Sequence, residues 1–194
     1  MEKKIIMGAA VILALRFILL PIPASDLIIR IYFDEIAGNA CELYYSVDAG
    51  KSLSPEQCIY SEINGAGKSV EFRLDGALEN RLTALRLDWP NDTEQLICVK
   101  NISVSSGGVI RKEYNPCNFF ADGNIALAHE TSVSLVQPRN RAYLQVGTDD
   151  PYQLLSDALV EEINSYYNHR TLSRICLCLF VAGCFFFAKK KLFT

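Results

Sequence analysis

The sequence predicts an all-β fold, an antiparallel β-sandwich or jelly roll, with transmembrane helices at the two ends of the chain. Three observations lead to this prediction. Short runs of apolar, β-branched and aromatic residues alternate with turn residues between residues 26 and 155. The same region has almost no amphipathic helical pattern, which favours packed antiparallel sheets. Both ends of the chain are strongly apolar and carry lysine clusters.

The centre of the predicted fold is the segment of residues 82–104. In Leu85-Arg86-Leu87 apolar and polar side chains alternate, so one face of this strand is expected to pack on a core. A polar turn that begins with Pro90 ends the strand, since proline has no amide donor. A second alternating run follows, and its expected packing positions are Ile97, Val99, Ile102 and Val104. The pattern predicts a β-hairpin or a corner that crosses between two sheets.

Eight to ten short strands are expected in all. Besides the central pair, the composition predicts strands at residues 27–33, 41–47, 57–63, 70–74, 109–110, 125–128, 133–136 and 142–146. Residues 114–124 are predicted to be an irregular connection.

Residues 156–171 are predicted to form a helical stalk. Ser156 suits an N-cap, and apolar residues follow it at helical spacing. A solvent-exposed linker is the alternative.

The N-terminal segment, residues 1–25, predicts a membrane anchor or a signal peptide. Two lysines precede an almost wholly apolar run from Ile5 to Ile22, interrupted by Arg16 and Pro21. This run is near the minimum length that spans a bilayer. Cleavage after Ala24 would make it a signal peptide, whereas retention would make it an anchor.

The C-terminal segment, residues 172–194, predicts a transmembrane helix with a basic cytoplasmic tail. Residues 175–188 are continuously apolar, and three lysines, residues 189–191, follow them. A buried C-terminal helix is the alternative. The positive-inside rule then places residues 26–171 outside the cytoplasmic membrane, with both termini cytoplasmic if the N-terminal segment is not cleaved.

The charge distribution agrees with this topology and argues against nucleic acid as a partner. Of the 22 acidic residues 21 lie between Asp26 and Thr171, against 12 of the 19 basic residues, so this part carries a net charge of −9. A nucleic-acid backbone attracts lysine and arginine instead.

Four cysteines lie in the predicted external part: Cys41, Cys58, Cys98 and Cys117. An even number permits two disulfides, of which Cys41–Cys58 and Cys98–Cys117 are the simplest pairs. Four buried free thiols are the alternative. Since these cysteines have no CxxC spacing, a zinc site is not expected.

No catalytic motif is found, so the sequence predicts a protein that is not an enzyme and that uses no metal or cofactor. Residues 64–69 end like a phosphate-binding loop, but Glu62 stands where that loop needs glycine. His129, beside Glu130, could belong to a hydrolytic triad, yet a surface or hydrogen-bonded histidine is the better interpretation.

Two pairs of residues are candidates for ligand binding. Trp89, the only tryptophan, follows Asp88 in a turn, and an exposed aromatic ring beside carboxylates is suited to holding a sugar. The alternative is that Trp89 packs into the rim of the sandwich while Asp88 caps the turn. Asp150 and Tyr152 form a similar pair, for which turn capping is again the alternative.

Four segments resemble a known module. Residues 85–90 (LRLDWP) and 97–104 (ICVKNISV), together with residues 42–46 (ELYYS) and 147–152 (GTDDPY), resemble the LR-[IL]-DP … G-x-DP pattern of a β-sandwich module. That module accompanies bacterial membrane glycosyltransferases and other proteins of surface-glycan assembly. Trp89, between Asp88 and Pro90, departs from the pattern.

The resemblance implies a membrane-tethered, non-catalytic β-sandwich that is accessory to envelope polysaccharide assembly. Its expected partners are the lipid bilayer and either an envelope glycan or a membrane glycosyltransferase or flippase. The alternative is a hydrolase or transferase that acts on envelope glycans through an unrecognised pair of carboxylates.

Overall fold

The computed structural model describes residues 26–50, 52–65, 68–75, 81–107 and 109–167. These residues lie within one compact unit, Ser25–Tyr167. The predicted anchor of residues 1–25, the end of the predicted stalk and the predicted C-terminal helix lie outside the described ranges. Within them, no helix is both long enough and apolar enough to cross a bilayer.

The described residues form two antiparallel sheets, as an all-β fold requires. Their strands, in chain order, are β1 (Leu27–Glu35), β2 (Ala40–Ser46), β3 (Cys58–Glu62), β4 (Ser69–Leu74), β5 (Ala84–Asp88), β6 (Gln95–Ser106), β7 (Val109–Tyr114), β8 (Ile125–His129), β9 (Thr131–Val136), β10 (Arg141–Val146) and β11 (Tyr152–Leu155). Two α-helices, α1 (Pro116–Phe119) and α2 (Asp157–Tyr167), and two short 3-10 helices, Pro55–Gln57 and Gln137–Arg139, complete the described elements.

The six-stranded sheet has the order β4-β1-β6-β10-β9, and β7 also pairs with β6. The five-stranded sheet has the order β3-β2-β5-β11-β8. Most of the neighbours within each sheet are distant in sequence, so the chain crosses repeatedly between the two sheets.

The central pair of strands is a corner between sheets and not a hairpin. β5 lies in the five-stranded sheet, whereas β6 lies in the other. The expected alternation in β5 is confirmed, because Leu85 and Leu87 are buried and Arg86 is not.

The packing positions predicted in β6 are also confirmed, with a change of parity between Val99 and Ile102. The pairing of β1 with β6 is shifted here, since Tyr32 faces Asn101 while Phe33 faces Val99. Such a bulge inserts one residue and turns the following side chains to the opposite face. The apolar residues on both sides of it therefore reach the same core.

One hydrophobic core lies between the two sheets. Every strand except β3, β8 and β9 contributes buried apolar side chains to this core, and β7 contributes only Tyr114. The three remaining strands lie at sheet edges and pack one partly buried residue each against the core: Ile59, Ile125 and Val133.

Helix α2 packs on this core as an integral part of the sandwich. Leu159, Val160 and Ile163 are buried, as helical spacing predicts for one apolar face. The buried Asn164 accepts a hydrogen bond from Leu82 N at 3.1 Å and donates one to Leu82 O at 2.8 Å. The helix expected after Ser156 is therefore present, and it is fastened to the chain just before β5.

Candidate functional site

Charged and aromatic side chains cover the outer face of the five-stranded sheet. Residues that are directly opposite each other on antiparallel strands project from the same face. The strand registers therefore define a row across the whole sheet: Tyr60, Glu42, Asp88, Tyr152 and His129. A second row lies beside it: Cys58, Tyr44, Arg86, Leu154 and Leu127.

Arg86 links these two rows. Its Nε donates to Asp88 Oδ1 at 2.6 Å, and its Nη2 also donates to Asp88 Oδ2. Asp150 Oδ2 lies 3.6 Å from Nη2. The guanidinium lies over the rings of Tyr152 and Tyr44, at 4.2 Å and 4.9 Å from their centroids. A cation held by two carboxylates and two aromatic faces has little freedom to move.

A cleft of about 250 Å³ opens beside these rows. The polar side chains that line it belong to Asn39, Glu42, Tyr44, Tyr60, Asp88, Asn91, Asp92 and Asp150. Four of these are carboxylates, so the cleft is acidic on balance despite the neighbouring Arg86.

The loop that carries Asp150 is fixed by contacts at both sides. Asp150 adopts a left-handed conformation, with φ of 50°, which aspartate tolerates better than most residues. His129 Nδ1 lies 3.1 Å from the Asp150 carbonyl oxygen, and the His129 ring stacks on Tyr152 with 5.3 Å between centroids. Trp89 N donates to Pro151 O at 3.0 Å. The carboxylate of Asp150 is therefore presented from a rigid backbone.

Glycines permit two close approaches at the ends of the sheet. Gly147, the first residue of the G-x-DP segment, donates from its N–H to Glu130 O at 2.8 Å, and a Cβ here would collide with the Glu130 side chain. Gly38 has φ of 94°, and a Cβ on it would collide with Pro90 at the rim of the cleft. A larger residue at position 38 would displace the rim of the cleft, whereas at position 147 the flexible Glu130 side chain would have to move aside.

Two side chains of the cleft have raised pKa values, for different main reasons. Burial raises the pKa of Asp88, and the negative charges of Asp150 and Glu42 add to this rise, while Arg86 opposes it. The hydrogen bond to Glu42 raises the pKa of Tyr44, and burial contributes to the same effect. Asp88 is thus a carboxylate that the fold desolvates but supplies with a bidentate cation.

The structure brings together three of the four residues that the sequence singled out. Asp88, Asp150 and Tyr152 all contact Arg86. Trp89 is also among the residues that line the cleft, but it is 4 % exposed and its ring packs against Phe120 with 6.2 Å between ring centroids. Its Nε1 donates to Gln153 Oε1 at 3.3 Å. The interpretation of Trp89 as an exposed sugar platform is therefore corrected in favour of core packing.

The four cysteines are free thiols in the structure, and neither of the simplest disulfides is formed. For Cys41–Cys58 the register explains this result. Cys41 is buried on the inner face of β2, whereas Cys58 lies on the outer face of β3, 3.6 Å from Glu42 Oε2. Side chains on opposite faces of a sheet cannot meet the geometry of a disulfide.

Sequence reasoning did not select Glu42, Tyr44, Tyr60 or Arg86 as site residues. Each lies in a segment whose alternation marks its outward direction, but alternation does not show which strands are neighbours. The strand β11 was not predicted either, and it is β11 that places Tyr152 beside Asp88.

Three of the four segments that resemble the glycan-assembly module lie beside this cleft, whereas residues 97–104 belong to β6 in the other sheet. Residues 42–46 form part of β2, residues 85–88 form part of β5, and residues 147–152 lead into β11, so the three are neighbouring strands. No family model, curated protein or solved structure matches the chain. Within the described ranges, no group of His, Cys, Asp or Glu side chains is arranged to hold a metal ion.

Proposed function

We propose that the outer face of the five-stranded sheet binds carbohydrate. The observation that supports this function is the row of side chains from Tyr60 to His129, in which aromatic rings lie between and beside carboxylates. An aromatic ring buries the apolar C–H face of a sugar, and ionised carboxylates accept hydrogen bonds from its hydroxyl groups. A sugar site of this kind needs aromatic rings and carboxylates side by side on one surface, and the strand registers support this arrangement.

The groups of the cleft divide this work among them. Tyr60, which is 59 % exposed, provides the stacking ring at the open end. Asp150 and Glu42 accept from sugar hydroxyls, while the amides of Asn39 and Asn91 both donate and accept. Arg86 is engaged by Asp88 and the two tyrosines, so its role is to hold the carboxylates in place.

The wider setting belongs to the same proposal. The domain acts as a non-catalytic accessory of envelope glycan assembly, as a β-sandwich or jelly roll tethered by terminal membrane helices. The three converging motif segments and the apolar, lysine-tipped ends support this setting. The partner is then an envelope glycan, or a glycosyltransferase or flippase that handles it.

Replacing Tyr60 by alanine is expected to weaken glycan binding about tenfold. Withdrawing about 60 Å² of apolar sugar and ring surface from water is worth about 1.5 kcal/mol, which corresponds to that factor. The measurement is titration of the full chain with oligosaccharides selected from a bacterial glycan array.

Replacing Asp150 by asparagine should weaken glycan binding by a similar factor in the same titration, since an amide replaces a carboxylate acceptor.

Two substitutions on other surfaces serve as matched controls. Tyr143→Ala changes a tyrosine on the outer face of the six-stranded sheet, and Asp48→Asn changes an exposed aspartate at the far end of β2. Both variants should bind like the wild type. Equal weakening by test and control variants, or no glycan binding by the wild type, would contradict the carbohydrate proposal and leave a partner protein as the ligand of the acidic face.

One observation favours a second candidate, a glycan hydrolase or transferase. Asp88 and Asp150 converge on the same guanidinium, and a buried carboxyl with a raised pKa beside another carboxylate is the usual arrangement of a general acid and its partner. The bidentate bond from Arg86 favours the ionised form of Asp88, which opposes that role. Release of reducing ends from a bound oligosaccharide, abolished by Asp150→Asn, would establish the enzyme and exclude the binding protein.

Protease added to intact cells is expected to digest the middle of the chain and to spare its C-terminal end. This result follows if residues 26–171 are extracytoplasmic and the lysine cluster of residues 189–191 is cytoplasmic. Immunoblotting with separate tags at the C-terminus and after Ser25 makes the measurement. Protection of both tags until the cells are lysed would place the sandwich in the cytoplasm.

A further inference from the structure

A second cleft, of about 420 Å³, lies at the edge where β8 and β9 leave the sandwich open. Each of these strands is the last in its sheet, and they follow one another through Glu130, whose φ is 49°. The cleft is walled largely by apolar side chains, among them Phe120, Ile125 and Val133. Leu127, on the rim of the cleft, is 51 % exposed. The volume of the cleft falls in the range of about 300–1,000 Å³ that ligand sites occupy.

Gln153 contributes a buried polar group to this cleft. It belongs to the inner-face row of Leu43, Leu87, Gln153 and Ala128, so its amide projects into the sandwich and its side chain lines the cleft. The residue is 0 % exposed. The other members of this row are two leucines and an alanine, so Gln153 is the one polar side chain among these four.

The orientation of the Gln153 amide follows from its neighbour. An indole Nε1 can only donate, so the atom 3.3 Å from Trp89 Nε1 must be the carbonyl Oε1. The amino group Nε2 then has no acceptor among the described residues. A buried donor without an acceptor costs about 1–3 kcal/mol of stability. A ligand in the cleft that supplies an acceptor to Gln153 Nε2 would remove this cost.

We propose that this cleft binds a neutral acyl group, such as the chain of an ester or amide, whose carbonyl oxygen accepts a hydrogen bond from Gln153 Nε2. The apolar side chains of the cleft would contact one side of the hydrocarbon chain. A free carboxylate is disfavoured, because Asp122 lines the cleft and none of the other lining residues is a cation. This site is separate from the carbohydrate face, since it uses the inner face of the same sheet.

Methyl hexanoate is expected to bind the full chain saturably, and sodium hexanoate about tenfold more weakly. Trp89 is the only tryptophan and contacts both Gln153 and Phe120, so its fluorescence should report occupancy directly. Saturation-transfer NMR of the ester methyl group provides a readout that does not depend on the indole.

Gln153→Met keeps the length of the side chain and removes the donor, so it should weaken ester binding about tenfold by NMR. Ala128→Leu should also weaken it, by adding bulk at the exposed mouth of the cleft without changing Gln153. The matched control is Gln145→Met on the outer face of β10, which should bind like the wild type. The proposal is overturned if the wild type shows no saturable binding, if the two acyl compounds bind equally, or if Gln153→Met and Ala128→Leu both retain full affinity.

Discussion

Replacing Trp89 by alanine is expected to lower the free energy of unfolding by about 3–5 kcal/mol. The ring is 4 % exposed and packs against Phe120, so its loss leaves a cavity in the core. It also removes the donor that Gln153 Oε1 accepts from. Since domains of this size are stable by about 5–15 kcal/mol, the variant should be partly unfolded near physiological temperature. Urea denaturation followed by far-ultraviolet circular dichroism measures the change.

Trp89→Phe is the informative companion variant. It keeps an aromatic ring in the core and loses only part of the volume and the indole hydrogen bond, so it should cost about 1–2 kcal/mol. Glycan binding should survive, because the phenyl ring keeps the turn before Pro90 in place. A Trp89→Ala variant with wild-type stability and no glycan affinity would show instead that the indole itself contacts the sugar.

Replacing Arg86 by alanine is expected to destabilise the protein by about 3 kcal/mol at neutral pH. Asp88 is 9 % exposed, and removing its bidentate partner leaves a buried charge without compensation. Stacking of the guanidinium on Tyr152 and Tyr44 is lost as well. Thermal and urea unfolding of the variant against the wild type make the measurement.

The deficit of Arg86→Ala should shrink as the pH falls from about 7 to about 5. Burial already raises the pKa of Asp88, and the loss of Arg86 raises it further. A carboxyl whose folded pKa lies above its unfolded value stabilises the fold at low pH, and this contribution is lost as the pH rises through the folded pKa. Acidification therefore protonates Asp88 in the folded variant and relieves the cost of its buried charge.

Arg73→Ala is the matched control for Arg86→Ala. Arg73 pairs with Asp26 and Glu71, but its side chain is 60 % exposed, so water screens these pairs and the cost should stay below about 1 kcal/mol. Equal costs for the two arginine substitutions, or a deficit of Arg86→Ala that grows on acidification, would contradict the role assigned to Arg86.

Local pattern was sufficient for much of the secondary structure. The alternation in Leu85-Arg86-Leu87 and the packing positions of β6 were predicted correctly, because a strand that faces a core on one side must alternate. Helix α2 is predicted because Ser156 suits an N-cap and apolar residues follow it at helical spacing. Among the described strands and α-helices, two were not predicted. Helix α1 is a single turn with Asn115 as its cap, and β11 has four residues, too few for periodicity to be read.

The candidate site was only partly predictable. The sequence indicates Asp88, Asp150 and Tyr152 as candidates within separate turns, but it shows Arg86, which joins them, only as a polar position in an alternating strand. The exposure of Trp89 could not be read from its neighbours in sequence either. The turn residues beside Trp89 predict an exposed ring, but Phe120 and Gln153, which contact the ring in the core, are distant in the chain.

Residue order alone predicts that the middle of this chain is an all-β body and which side of most strands faces its core, because both follow from alternation at a period of two. Three features become visible only in the folded protein: β2, β5 and β11 are neighbours, Arg86 contacts Asp88, Asp150 and Tyr152, and Cys41 and Cys58 lie on opposite faces. These features depend on the pairing of distant strands, and that pairing depends on the summed packing of the whole core. No short segment carries that information.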